Sequence, residues 1–484
     1  MSKSNTQDGL DPTRWRTLFV VAISQLMVVL DSSIVNIAIP TAKVDLHISD
    51  ANQQWVITAY TLAFGSLLLL GGRIGDFMGR KRILIVGLLG FAGASALGGL
   101  AQTQHLLFAA RALQGVFGAL LAPAALAIIS VTFSDPKERS KAFGVMGAIS
   151  GGGAAIGLIL GGTLTEFFSW RWCMYVNVPI ALLAATLAFK FVHESKAEGD
   201  RSYDIPGVIT ATAGLFSLTY GFSHAATHGW SNSSTIVYFV AAVLFLFAFI
   251  QIEKRVANPL MPLRVVTDRN RGGSYLGSLV VGAGLFSMFL FLGIFFQVVL
   301  GFSPLRSGFA FLPFTAGIIF GAGISSNLLP KFGPKPLMIP GLLVSATGLL
   351  LLTRLTPTSA YATHIVPSLL LMSFGLAFVF IPLTSTSLHA VSHHDTGVAS
   401  AMVNTSQQIG GSLGTALLNT VSATAAASFA TSHTKMGQFD AMVHGFTRAW
   451  TVGAGLLVTG AIVLFFFINI GKEAVVETEG VAMH

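Results

Sequence analysis

The sequence predicts an all-α integral membrane protein, in which two six-helix bundles are accompanied by two additional helices to give about fourteen membrane spans. Two observations predict this class. First, 53% of the 484 residues are hydrophobic and only 10% are charged, with a mean hydropathy of +0.73. A water-soluble domain carries far more charge than this. Second, the apolar residues are grouped into segments of about 20, the length that crosses a bilayer as a helix.

Fourteen such segments follow one another along the chain. The connections between them are short, so we expect function to reside among the helices rather than in a separate soluble domain. The predicted spans are residues 16–40, 55–71, 83–101, 106–132, 142–165, 173–192, 206–222, 235–251, 273–299, 308–328, 336–353, 365–391, 396–424 and 446–471.

The net charge of +8 is explained by membrane topology rather than by binding to nucleic acid. Of the 28 Lys and Arg residues, 21 lie in connections on the side of the N-terminus, six lie on the opposite side, and Arg111 lies within a span. Lys and Arg are enriched in cytoplasmic connections. We therefore expect a multi-pass protein of the cell membrane with both termini in the cytoplasm.

An internal repeat predicts the two bundles. The loop at residues 76–81 matches the loop at 330–335 through Gly79 and Gly333, and the same spacing relates Gly157 to Gly411. Parallel six-helix repeats are a transporter architecture, with the solute site at the membrane midplane between the halves. The predicted organisation is a cytoplasmic tail (1–15), an N-terminal bundle (16–192), an inserted helix pair with its linkers (193–272), a C-terminal bundle (273–471) and a second cytoplasmic tail (472–484).

Asp31 and Arg111 are the charged residues that we place inside the hydrocarbon, in the first and fourth spans. A charge near the bilayer centre costs about 2.5–3.5 kcal/mol on insertion scales, so each side chain needs a cavity or a partner. We expect the two to pair, and a proton that neutralises Asp31 would weaken the pair. This predicts a proton carrier. The alternatives are a purely structural hydrogen bond for Asp31 and an Arg111 side chain that snorkels toward the cytoplasm.

Uncharged polar residues in the spans are candidates for binding the solute. Gln25 and Asn36 share one face of the first span, and Gln114 follows Arg111 by one helical turn. Amides without partners are unfavourable in lipid. The predicted substrate-binding residues are these three amides together with Phe286, Gln297, Asn404, Gln407 and Gln408.

Glycine is concentrated in the loop after the second span and in the fifth span. We interpret both places as parts of a conformational switch. Small residues spaced by four also let helices approach closely in lipid, and for the fifth span packing is favoured over contact with the solute. The predicted switch residues are Gly72, Asp76, Gly79, Arg80, Gly157, Gly161 and Gly162.

These motifs resemble the major facilitator superfamily, specifically its fourteen-helix branch of drug:proton antiporters. Residues 72–82 are similar to the signature between helices two and three, and residues 30–40 and 111–115 are similar to the signatures of helices one and four. Residues 170–172, 177–179 and 301–304 also resemble this branch. One position departs from it, because the helix-five signature has proline where this chain has Leu158, and the bend that proline introduces is lost.

The resemblance implies a secondary transporter that exports drug-like or amphipathic small molecules in exchange for protons, as in multidrug efflux and antibiotic resistance. Asp31 and Arg111 would couple transport to the proton gradient, with no cofactor, in a protein that we expect to be monomeric. The last six spans contain no acid that we place at the midplane. This favours neutral, zwitterionic or singly charged substrates.

Two other functions stay open at this point. A protein of the same fold could import a metabolite or move a lipid or natural product, because the sequence does not fix the direction of transport. A membrane acyl or glycosyl transferase would have to use the cluster His389, His393, His394 and Asp395, which no nucleophile accompanies. Cys173 is the single cysteine, and no Cys/His spacing predicts a metal site.

Overall fold

The computed structural model describes residues 13–49, 52–53, 55–133, 136–196, 204–256, 259, 261–389, 391, 396–432 and 437–471. Every regular element in these residues is helical, as expected where a bilayer leaves backbone groups no water to bond. The helices are α1 (Arg14–Asp45), α2 (Trp55–Met78), α3 (Arg80–Gly99), α4 (Gln104–Thr132), α5 (Pro136–Phe167), α6 (Trp172–Tyr175), α7 (Asn177–Phe191), α8 (Ile205–His228), α9 (Ser233–Glu253), α10 (Leu263–Thr267), α11 (Arg269–Ile294), α12 (Pro304–Phe309), α13 (Leu312–Phe332), α14 (Lys335–Leu352), α15 (Val366–Leu388), α16 (Thr396–Ser432) and α17 (Gln438–Phe467), with π-helical segments at Phe295–Val299 and Tyr361–Ile365.

Twelve helical segments in the described part of the chain are long and apolar enough to cross a membrane. The predicted all-helical membrane class is therefore confirmed. The other two predicted spans, 55–71 and 142–165, fall in α2 and α5, whose described apolar stretches are only Trp55–Leu68 and Ile156–Phe167. The count of fourteen stays a prediction.

The first and last groups of helices use the same pairing scheme. In the first group α1 packs on α5, and α4 packs on α2 and α3; in the last group α11 packs on α16, and α15 packs on α13 and α14. Glycine permits the contacts between equivalent helices. A side chain at Gly157 or Gly161 of α5 would clash with α1, and one at Gly410 or Gly414 of α16 would clash with α11. The close packing predicted for the fifth span is thus present, and its counterpart uses Gly410, one residue before the Gly411 that the repeat predicts.

The two matched loops also share a backbone conformation. Gly79 has φ +112° and Gly333 has φ +78°. Side-chain-bearing residues rarely adopt such angles, so glycine at each helix junction lets the chain reverse tightly into α3 and α14.

The additional pair α8 and α9 forms a hairpin beside the bundles, with α8 in contact with both α2 and α16. Aromatic rings hold it in place. Tyr220 of α8 lies 5.7 Å from Trp55 of α2 and 4.7 Å from Tyr238 of α9, measured between ring centroids. The inserted helices therefore touch both halves of the protein.

The halves meet directly at the end of the bundle where α5 finishes and α12 begins. The Glu166 carboxylate accepts a hydrogen bond from the Leu305 amide at 2.9 Å. A Cβ at Gly162 would lie 2.6 Å from the Leu305 Cα, and one at Gly308 would lie 2.5 Å from the Leu158 carbonyl oxygen. In this conformation the backbones are in close contact at that end.

Candidate functional site

Asp31 lies on α1 with no solvent exposure, and its carboxylate accepts three hydrogen bonds. Arg111 of α4 donates from Nη1 to Oδ2 at 2.6 Å. Gln114 of α4 and Asn177 of α7 each donate an amide N–H to Oδ1 at 2.8 Å. The pairing expected between Asp31 and Arg111 is therefore present, and it is part of a larger network.

Arg111 is fixed by further contacts and is only 1% exposed. Its Nε donates to the Val56 carbonyl oxygen of α2 at 3.0 Å, and its Nη1 also donates to Gln114 Oε1 at 2.8 Å. The ring of Tyr60 faces the guanidinium, 4.6 Å from ring centroid to Cζ, as in a cation–π contact. The alternative of a snorkelling Arg111 is wrong, because interior acceptors satisfy the guanidinium.

The sequence analysis missed the roles of Asn177 and Ser95. Asn177 is the first residue of α7 and is fully buried, and Ser95 of α3 accepts a hydrogen bond from Gln114 Nε2 at 2.7 Å. An asparagine at the start of an apolar helix was the available signal for Asn177. Nothing in the sequence pattern distinguishes Ser95 from other small residues of α3.

The hydrogen-bond network around the Asp31 carboxylate joins five helices of the N-terminal half. Its members lie on α1, α2, α3, α4 and α7. Three of the roughly four lone-pair sites of the carboxylate are occupied, which leaves one site, on Oδ2, for a proton. A proton there would neutralise the charge that the Arg111 guanidinium faces and would weaken all three charge-assisted hydrogen bonds. Protonation of Asp31 would therefore loosen the contacts that hold α4 and α7 to α1. In this conformation the carboxylate lines no open passage.

The other two polar residues predicted on α1 do not belong to this network. Asn36 donates from Nδ2 to the carbonyl oxygens of Ser32 and Ser33 at 3.0 and 3.4 Å, which satisfies it within its own helix. Gln25 is half-buried. Gln114, predicted as a substrate-binding residue, is instead enclosed between Arg111, Ser95 and Asp31.

The predicted amides of the C-terminal half lie along the contact between halves. Gln297 donates from Nε2 to the Ile37 carbonyl oxygen of α1 at 3.2 Å. Gln408 of α16 lies against Gly65 of α2, and its Oε1 is buried with no hydrogen-bond partner among the described residues. Asn404 and Gln407 are half-buried on the same helix.

The phenylalanines of this region belong to the core. Phe295 and Phe296 have no solvent exposure, and Phe296 packs on Phe311 at 5.1 Å between ring centroids. They do not line an open apolar pocket. The side chains of Phe286 and Asp76 lie outside the described part of the structure.

The loop before α3 is held by an acid that the sequence analysis did not identify. Both oxygens of the Glu194 carboxylate accept backbone N–H groups at the start of α3, from Lys81 at 3.1 Å and Arg82 at 3.2 Å. The Arg80 amide donates to the Ser195 carbonyl oxygen at 3.0 Å. A Cβ at Gly79 would collide with the Glu194 carboxylate, so glycine is required here for space as well as for its φ. Gly72 is less confined, since its added Cβ would lie 3.5 Å from Pro123.

The switch glycines of α5 divide into two kinds. Gly157 and Gly161 pack within the N-terminal half on Ser33 and Ile34 of α1, whereas Gly162 packs across the halves on Leu305. Of these three, Gly162 is therefore the one that contacts the other half.

The histidine cluster offered for a membrane enzyme falls mostly on residues 392–395, outside the described part of the chain. His389 lies at the end of α15, where its carbonyl oxygen accepts a hydrogen bond from Arg271 Nη1 at 3.3 Å. Among the described residues, no group of three His, Cys, Asp or Glu side chains is arranged to hold a metal ion.

Comparison with known proteins identifies the family. A family model described as the Major Facilitator Superfamily matches residues 21–415. The chain is 47% identical over 476 residues to the puromycin resistance protein pur8 of Streptomyces alboniger. The alignment covers 97% of this chain and 94% of that protein. It is 36% identical over 413 residues to the cephamycin export protein CmcT of Amycolatopsis lactamdurans, covering 84% of this chain and 85% of that protein.

Solved structures agree on the fold. The crystal structure of the POT family transporter PepTSo matches with a TM-score of 0.69 at 15% identity, covering 93% of this chain and 97% of that one. The chain therefore belongs to the Major Facilitator Superfamily and is a multi-pass membrane transporter rather than an enzyme.

Proposed function

We propose that the protein exports amphipathic, antibiotic-like compounds from the cell in exchange for protons, and that Asp31 carries the proton. The observation that carries the proposal is the buried carboxylate with three N–H donors. A proton on that carboxylate removes the negative charge that the Arg111 guanidinium faces and so weakens its hydrogen bonds to α4 and α7. Proton binding is thereby linked to helix movement, which is the requirement for coupling a gradient to transport.

The ion pair supplies the energetic contrast between the two protonation states. A buried guanidinium that loses its counter-charge is strongly destabilised, by about 3–5 kcal/mol in soluble proteins. A protonated Asp31 therefore favours a different arrangement around Arg111, in which water or solute reaches the cation. One proton crossing a potential of 100 mV supplies about 2.3 kcal/mol, which is of the same order.

Alternating access follows from the arrangement of the halves. We propose fourteen spans with both termini in the cytoplasm, two six-helix bundles (16–192 and 273–471), and a monomer as the working unit. The α5–α12 contact through Gly162 and Gly308 would form the outer gate. The loop at Gly72, Asp76, Gly79 and Arg80, held by Glu194, would control the inner face.

The direction of transport is inferred from the relatives, which are named for resistance to, or export of, puromycin and cephamycin. Leu158, which replaces the proline of the helix-five signature, does not oppose this. It is buried where α5 meets α12, and α5 runs through this position as a helix. The substrate would lie between the halves, against Gln25, Gln297, Asn404, Gln407 and Gln408.

The test is solute-triggered proton movement in inside-out vesicles, recorded with a pH-sensitive dye after addition of puromycin. We expect the parent to release protons and Asp31→Asn to show no solute-triggered signal. The matched control is Asp45→Asn on the same helix, because Asp45 also pairs with an arginine, Arg171, but at a partly exposed site. It should retain the parental signal.

A second variant distinguishes loss of proton coupling from misfolding of Asp31→Asn. The double variant Asp31→Asn/Arg111→Gln leaves no unpaired charge in the interior, so it should insert normally and still fail to couple. Proton release at the parental rate by either variant would overturn the assignment of Asp31. Puromycin uptake in place of extrusion would overturn the direction.

A further inference from the structure

A second site lies away from the Asp31 network, where α16 ends and α17 begins. A groove of about 730 Å³ opens there between the two helices and is bordered by the loop joining α8 to α9. The residues that matter for its chemistry are Trp230, Thr420, Thr424, Phe429, His444 and Arg448. None of them takes part in the proposed transport mechanism.

Arg448 gives the groove a positive charge. It is exposed at the point where α17 turns from polar to apolar, and its Nε faces His444 Nε2 at 3.5 Å. Within the described residues no carboxylate lies within ion-pair distance of Arg448, and the groove lining contains no Asp or Glu. A guanidinium without a neighbouring carboxylate can bind the carboxylate, sulfonate or phosphate group of a ligand.

Aromatic rings flank the charge. Phe429 of α16 stacks on His444 with 4.5 Å between ring centroids and 22° between planes. Trp230 lies on the opposite wall with 37% of its surface exposed, and it is supported from behind by Phe239, whose ring is nearly parallel at 6.1 Å. Because neighbouring rings already hold them in place, these aromatic side chains lose little conformational entropy when a ligand packs against their flat apolar faces. The groove thus combines a cation with apolar walls.

The inserted helix pair completes this site. Trp230 belongs to the connection between α8 and α9, and α8 packs on α16, whereas the other five residues belong to α16 and α17. Without the insertion the groove would have an aromatic ring on one side only. This assigns a role to two helices that the six-helix repeat does not require.

We propose that this groove binds amphipathic anions, with the acidic group on Arg448 and the apolar body between Trp230 and Phe429. The bound molecule is either a soluble ring-bearing acid or the headgroup region of an anionic lipid, since both present this chemistry. The proposal concerns a second binding site and does not depend on the transport cycle described above.

The test is a fluorescence titration of the full chain in phosphatidylcholine nanodiscs with two matched dyes. 1-Anilinonaphthalene-8-sulfonate carries an anionic group, and N-phenyl-1-naphthylamine has the same rings without it. We expect Arg448→Gln to weaken sulfonate-dye binding about tenfold and to leave the neutral dye unchanged. Trp230→Ala should weaken both dyes, and Trp230→Phe should restore most of the binding.

Matched controls lie at the same end of the molecule but outside the groove. Arg354→Gln removes an exposed arginine, and Trp172→Ala removes an exposed tryptophan. Both should bind the dyes like the parent, because neither residue lines the groove. Equal affinity of the parent and Arg448→Gln for the sulfonate dye would overturn the proposal.

A second arm identifies the source of the anion. Phosphatidylglycerol in the nanodisc should compete with the sulfonate dye in the parent and not in Arg448→Gln if a lipid headgroup occupies the groove. If phosphatidylglycerol has no effect while the dye still requires Arg448, the occupant is a soluble amphipath. Competition that is equal in the parent and in Arg448→Gln would place the lipid elsewhere and contradict occupation of the groove.

Discussion

The two halves of the protein share a pattern of helix pairing but differ in what they bury. The N-terminal half encloses a charged pair, Asp31 and Arg111, together with three polar side chains. The C-terminal half buries Phe291, Phe295 and Trp450 in one large apolar cluster, and its central helix α15 contains no charged residue. One helical framework therefore supports a charged interior in one half and an apolar interior in the other.

The repeat therefore constrains the backbone contacts between helices but not the chemistry of the buried side chains. Glycine is retained wherever equivalent helices touch, because close approach leaves no room for a Cβ. In the described parts of the two bundles, buried charged side chains occur only in the N-terminal half, where Asp31 and Arg111 compensate each other. On our proposal, the N-terminal half responds to the proton and the C-terminal half supplies the surface against which it moves.

The largest expected effect comes from removing one member of the charged pair. Arg111→Gln should lower the free energy of unfolding by about 3–5 kcal/mol, because Asp31 is left buried without its counter-charge. The double variant with Asp31→Asn should recover much of that loss. Thermal unfolding in detergent measures both. Arg171→Gln, which breaks the partly exposed pair with Asp45, should cost less than about 1 kcal/mol. An equal loss for the buried and the exposed pair would contradict the view that burial makes the Asp31–Arg111 pair special within the N-terminal half.

Alanine substitution of equivalent glycines in the two halves should lower the free energy of unfolding by different, intermediate amounts. Alanine at Gly410 would meet the Leu279 backbone, with its carbonyl carbon at 2.6 Å, so α16 and α11 must move apart at a cost of about 1–3 kcal/mol. Alanine at Gly157 meets the Ser33 hydroxyl first, which can rotate away, so the cost should be smaller.

The same thermal unfolding assay tests this order. Gly455→Ala is the control, because nothing lies within 4 Å of its added Cβ. It should be neutral or stabilise α17 by up to about 1 kcal/mol. The explanation from backbone contact would be wrong if Gly157→Ala destabilised more than Gly410→Ala.

The smallest expected effect concerns the loops at Gly79 and Gly333. Glu194→Gln removes a charged acceptor from the start of α3 and should cost less than about 1 kcal/mol, because the site is exposed and screened by salt. α14 begins at Lys335, and its Leu337 and Met338 amides donate to the Pro334 carbonyl oxygen. Within the described residues no carboxylate accepts these groups, so the C-terminal half has no equivalent acid to lose at this junction. Melting temperatures of the variant and the parent should differ at low salt and converge at high salt. A difference that persists at high salt would argue against an electrostatic role.

Much of the fold could be predicted because hydropathy and charge placement are local properties of the chain. The helical membrane class and the approximate positions of twelve spans follow from them. The family resemblance came instead from the motifs at residues 30–40, 72–82 and 111–115. The pairing of Asp31 with Arg111 was also predictable, since two opposite charges in hydrocarbon must find each other. Asn177, Ser95 and Glu194 were not predicted, because none of them is a charge placed in hydrocarbon that must find a counter-charge. Helix packing brings each of them to its partner.

The order of residues was enough to predict that this chain crosses the membrane many times and must compensate a buried acid and a buried base. These are consequences of transferring each residue from water to lipid, which depends mainly on composition and order. The folded arrangement was needed to learn which helices touch. It also showed that Gly162 meets Leu305 across the halves while Gly157 stays within one, and that Trp230 completes a groove on α16 and α17. Those outcomes depend on packing, in which a single Cβ can decide whether two backbones approach.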